Sequence, residues 1–140
     1  MFLDDLLLIG GCTLLGLCII VIVLGLAECA HRYDIRVAGR RHTAEKKSGI
    51  LLNEWLSPSQ LLQYRQHGTF DVTGSHSGKR YRIRCERQMN VDELDETGRR
   101  TARWCFGPEG DLPLGDIMLA QKLALELDEQ GALAVANRGH

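Results

Sequence analysis

A chain of 140 residues with 17 Lys/Arg against 18 Asp/Glu has room for one modest core and lacks the net positive charge of a generic polyanion binder. Its cysteines, at 12, 18, 29, 85 and 105, are odd in number and contain no C-x-x-C pair, which excludes a secreted disulfide framework and fits reduced thiols facing a cytoplasm. The charge is unevenly placed: Asp4 and Asp5 are the only charges before Glu28, whereas residues 28–50 carry Arg32, Arg36, Arg40, Arg41, Lys46 and Lys47 against Glu28, Asp34 and Glu45.

From Leu6 to Ala27 no side chain is charged. At about 1.5 Å per residue a helix over 6–27 is about 33 Å long, close to the roughly 30 Å of a bilayer's hydrocarbon layer. A core helix of a small domain needs a polar stripe, and Thr13 is almost the only candidate, so the stretch predicts a transmembrane helix. A cleaved signal peptide starts with a basic region and has a shorter apolar core, whereas this chain starts Met-Phe-Leu-Asp-Asp. Leu26-Ala27-Glu28-Cys29 departs from a lipoprotein cleavage box by its glutamate. All nearby Lys/Arg follow the apolar stretch, so residues 1–5 are expected outside and the C-terminal domain in the cytoplasm, at the inner (plasma) membrane. His31, Arg32, Tyr33 and Arg36 are the expected membrane-interface residues, with ring and cationic stems at headgroup level. Gly11, Cys18 and Gly25 recur every seven residues and suggest a face for helix–helix association.

Residues 28–50 have little apolar periodicity and are expected to form a basic juxtamembrane linker, with a cytoplasmic domain over 51–140. In "WLSPSQLLQYRQHG", Ser57 as N-cap, Pro58 at the first helical position and Gln60 three residues after the cap predict a helix over 58–67, with Leu61, Leu62 and Tyr64 on its apolar side and Gly68 as its stop. The period then changes to two. Phe70 and Val72 alternate with Asp71 and Thr73; beyond a Ser75–Gly78 turn, Tyr81, Ile83 and Cys85 alternate with Arg80, Arg82 and Arg84. Cys85 is accordingly expected to be buried. Further strands are expected around Met89–Leu94 and Arg100–Phe106, either side of Glu96-Thr97-Gly98.

A long helix is expected from a Gly115-Asp116 cap to about Glu129. Ile117, Ala120, Ala124 and Leu127 form its expected buried face, and Gln121, Lys122, Glu126 and Glu129 its polar face. A short helix, 132–137, is expected after a break at Gly131. The fold class is α+β: a transmembrane helix, then a small antiparallel meander of three or four strands packed with one short and one long helix.

The row Arg80, Arg82, Arg84, with Arg103 nearby, is the sharpest candidate site. Guanidinium groups on one strand face suit a protein partner with an acidic surface. Nucleic acid is disfavoured, because Tyr81 points to the opposite face and Asp92, Glu93, Asp95 and Glu96 offset the charge. No cofactor or metal is expected, since Cys85, Cys105, His67 and His76 lack paired ligand spacing. No nucleophile–base pair is placed by the sequence either, and Glu109 and Asp111 read as loop carboxylates, so an enzyme is not expected. The expected function is a membrane-anchored accessory or scaffold protein; a tethered sensor or polyanion-binding domain is the alternative.

The segments "WLSPSQLLQY", "GTFDVTGSHSGKRYRIR", "MNVDELDETGR", "WCF", "PEG", "LP", "GDIMLAQKLALE" and "LAVAN", which leave out Gly107, Asp111 and Leu114, resemble a small domain of uncharacterised bacterial proteins. The resemblance covers roughly 54–137 and implies one folding unit of bacterial origin, without an activity to carry over.

Overall fold

The computed structural model describes residues 2–139, and their side chains from Ile20 onward. Helix α1 (Phe2–Trp55) is followed by α2 (Pro58–His67), strands β1 (Thr69–Thr73), β2 (Arg80–Arg84), β3 (Val91–Leu94) and β4 (Arg100–Cys105), helix α3 (Leu114–Val135) and strand β5 (Asn137–Gly139). The architecture is α+β, as the change of period from helical to alternating implies. Residues 1–41 and 42–140 form two compact units.

In the first unit the side chains from Ile20 to Arg41 are all exposed. Among the described residues no helix is long and apolar enough to cross a membrane. The expected span over 6–27 lies for its greater part, 6–19, outside the residues whose side chains are described, and so do Gly11 and Cys18. The expected linker over 28–50 is helical throughout. It contains no proline, its Ala, Glu, Lys and Arg are strong helix formers, and Glu28 meets Arg32 across one turn at 3.6 Å.

The second unit begins inside α1, where Ser48 and Leu52 are buried. Helix α2 starts and stops where the residue types require. Ser57 Oγ accepts from Gln60 N–H (3.3 Å), Gln60 Oε1 accepts from Ser57 N–H (3.1 Å), and Gly68 adopts φ 68° as the C-cap. Leu61 and Tyr64 pack on the core, but Leu62 is exposed.

The sheet is antiparallel in the order β1-β2-β3-β4-β5. Of the segment 132–137 expected to be a helix, 132–135 is helical as the last turn of α3, and only Asn137 belongs to the fifth strand. The break falls earlier than Gly131, at Asp128 (φ −146°, ψ 67°), whose Oδ1 accepts from Gly131 N–H (3.0 Å) and so restarts the helix in the manner of an N-cap. Cys85 is exposed rather than buried, because β2 ends at Arg84 and a turn with Glu86 N–H donating to Arg84 O (2.8 Å) bends the chain off the sheet.

Phe70, Val72, Tyr81, Ile83 and Val91 on the inner face meet Leu52, Leu56, Met118, Leu119 and Leu125 in one core. The buried face of α3 differs from the expected one. Gln121, Lys122 and Glu129 are buried, and Leu127 is 75% exposed. The three polar side chains are tolerated inside because each has a partner: Gln121 Nε2 donates to Phe106 O, Lys122 Nζ to Glu126, and Glu129 accepts from four donors described below. The start of α3 also differs. Leu114 follows Pro113 without a side-chain cap of its own, and Glu45 Oε2 of α1 accepts from Leu114 N–H (3.0 Å) instead.

Candidate functional site

On an antiparallel sheet residues directly opposite share a face, so register decides which charges meet. Asp71 lies opposite Arg82, Arg82 opposite Asp92, and Asp92 opposite Arg103. The outer face therefore carries an acid–base–acid–base ladder across four strands. Arg82 holds Asp71 through two nitrogens, at 2.8 and 3.1 Å. Asp92 is buried and accepts from Arg103 Nε (3.1 Å) and Arg84 Nη1 (3.3 Å), while Arg84 also holds Glu86. The hydrogen bond to Asp71 raises the Arg82 pKa above its ordinary value against the opposing effect of burial.

Arg80 stands apart from the other expected contact residues. Its Nη2 donates to the carbonyls of Asp95 (3.1 Å) and Glu96 (3.3 Å), and it lies opposite Leu94, with Arg100 on Leu94's other side. Leu94 is buried between these two exposed arginines, whose aliphatic stems suit such cover. The four arginines of the expected site thus share one face, but Arg82, Arg84 and Arg103 are neutralised within the sheet. Among the described residues Arg80 and Arg100 form no ion pair with a carboxylate.

A second polar assembly closes the β1–β2 turn. The Glu129 carboxylate accepts from the backbone N–H of His76 (2.8 Å) and Ser77 (2.7 Å), from Ser77 Oγ–H and from Tyr81 O–H (2.6 Å). Burial works to raise its pKa, but these four donors prevail and hold it at about 2. Tyr81, buried and bonded to that carboxylate, is pushed upward. Gly74 is required here, since a Cβ on it would overlap the Glu129 carboxylate. Helical spacing alone puts Glu129 on the polar face with Glu126. No local signal distinguishes it from Glu126, because its donors lie some fifty residues earlier in the chain.

The expected membrane-interface residues His31, Arg32, Tyr33 and Arg36 are all exposed on α1, and helical geometry puts Arg32 and Arg36 on one side. Among the described residues no three His, Cys, Asp or Glu side chains stand close enough to hold a metal ion. Open cavities lie beside Lys79 and Glu93 (about 510 Å³), beside His67, Asp71 and Arg82 (about 460 Å³), and beside Asn90 and Cys105 (about 450 Å³). In the first, Lys79 Nζ is held by Glu93 (2.7 Å), which also accepts from Trp104 Nε1 (3.1 Å). Compared with known protein families, curated proteins and solved structures, the chain shows no match in any of the three.

Proposed function

We propose that the chain is a single-pass membrane protein whose α+β unit lies in the cytoplasm and serves as an accessory module that binds another protein, not as a catalyst. The observation that carries the anchor is the run Ile20–Leu24. Five consecutive apolar side chains are each between 58% and 64% exposed. At about 100° per residue they point to every side of α1, and a helix that is apolar all round belongs in a membrane or a large core. The uncharged sequence reaching back to Leu6 supports the same reading, and Arg32, Arg36, Arg40 and Arg41 beyond it support a cytoplasmic domain.

The proposed protein contact is the outer face of the sheet. Three of its arginines are already paired with carboxylates, which argues against a grip on phosphates and so against the polyanion-binding alternative. Arg80 and Arg100, flanking Leu94, are the residues proposed to meet an acidic surface. The test is crosslinking in intact membranes with wild type beside an Arg80→Glu/Arg100→Glu variant, which leaves the ladder untouched. The expected result is a defined protein adduct in wild type that is lost in the variant. An unchanged adduct pattern, or recovery of nucleic acid, contradicts the reading.

A further inference from the structure

The cavity beside Asn90 lies at the end of the sheet, where loop 85–90 and the turn after β4 approach the C-terminal end of α3. Val91 lies opposite Trp104, and Cys105 opposite Asn137. Continuing that register one step places Asn90, Cys105 and Asn137 side by side at the cavity wall. Phe106, Ile117 and Val135 supply its apolar lining.

Asn90 is 2% exposed, yet its Oδ1 has no hydrogen-bond partner. The residue before it, Met89, has φ 48°, a conformation that non-glycine residues seldom adopt. Behind the Phe106–Gly107 wall, Gln121 Oε1 is also buried and unpartnered, while its Nε2 secures Phe106 O. A buried amide oxygen left unsatisfied destabilises the fold unless something pairs with it. The terminal torsion of an asparagine is soft, so rotation about it turns the unpartnered amide oxygen of Asn90 toward the cavity. Of the charged residues lining the cavity, Arg87 is already held by Asp111 (3.1 Å) and Glu45 (3.8 Å), and Glu109 adds a carboxylate, so the lining does not suit an anionic ligand.

The geometry points to a binding site for a neutral, planar small molecule with a donor and an acceptor on one edge, of the cyclic-amide or nucleobase class. Its edge pairs with the Asn90 amide and its body lies against Phe106, Ile117 and Val135. Cys105 lines the same cavity and so reports occupancy.

The test uses full-length protein in mild detergent with uracil and nicotinamide as probes. The rate of iodoacetamide alkylation is followed at Cys105, with the exposed Cys85 as internal control. The expected result is that at least one probe, at millimolar concentration, slows Cys105 about fivefold with saturation, leaves Cys85 unchanged, and acts about tenfold more weakly on Asn90→Leu. Val135 is exposed at the rim, so Val135→Trp fills the mouth without disturbing the core; it should slow Cys105 without any probe and abolish the probe's effect. A Cys105 rate unchanged by both probes up to about 20 mM, or the same midpoint in both variants as in wild type, overturns the assignment.

Discussion

Glu129 illustrates how far a single side chain can depart from its expected place. By helical spacing it belongs with Glu126 on a polar face, but four donors converge on it at the β1–β2 turn. Its depressed pKa has a definite consequence. A carboxylate held at about 2 contributes stability that is fully present above the unfolded value of about 4.3 and is lost as pH falls through about 2. Thermal unfolding of the isolated 42–140 unit from pH 7 to pH 2 should therefore show a loss of stability below about pH 4.3 that Glu129→Gln largely removes. At pH 7 the same variant should be less stable by about 2–4 kcal/mol, because it replaces a fourfold acceptor with an amide that cannot satisfy every donor. A second residue-scale expectation concerns Asp92, buried between Arg84 and Arg103. Asp92→Ala should cost about 2–4 kcal/mol by denaturant unfolding, whereas Arg100→Ala should cost less than about 0.5 kcal/mol.

At the scale of elements, legibility followed the range of the interactions. Helix α2 was readable to the residue because its start and stop are local: Ser57, Pro58, Gln60 and Gly68 each act within one turn. The alternation in β1 and β2 was equally local, and it placed Phe70, Val72, Tyr81 and Ile83 correctly on the buried face. The arginines were placed on the right face too, but their neutralisation was not legible, since Asp71 and Asp92 meet them only through strand register. The burial of α3 and the pairing of β5 with β4 depend on tertiary partners. Helix α3 presents Gln121 inward where the Phe106 carbonyl accepts from it, whereas Lys122 is buried beside its own helical neighbour Glu126. Its N-terminus is capped by a glutamate of α1, which no pattern near Leu114 announces. The same junction brings α1 and α3 unusually close at Gly115, where a Cβ would sit 2.6 Å from the Ser48 carbonyl. Gly115→Ala should lower stability by about 1–3 kcal/mol in denaturant unfolding. Gly49→Ala, in open space on α1, should raise it by up to about 1 kcal/mol.

For the whole molecule, the central claim is an anchor joined to a cytoplasmic domain. A continuous helix over 28–50 replaces the loose tether read from scattered charge; charge scatter without proline does not by itself break a helix. The apolar run at Ile20–Leu24 has no protein cover among the described residues, and the proposed anchor rests on that exposure. Exposed Cys85 is a native reporter of which side the α+β unit occupies. The decisive measurement is labelling of Cys85 in cells by a membrane-impermeant maleimide, before and after permeabilisation, on protein recovered from alkaline-washed membranes. The expected result is protein retained in the washed membranes and Cys85 labelled only after permeabilisation. Labelling of Cys85 in intact cells, or release of the protein by the alkaline wash, would contradict it.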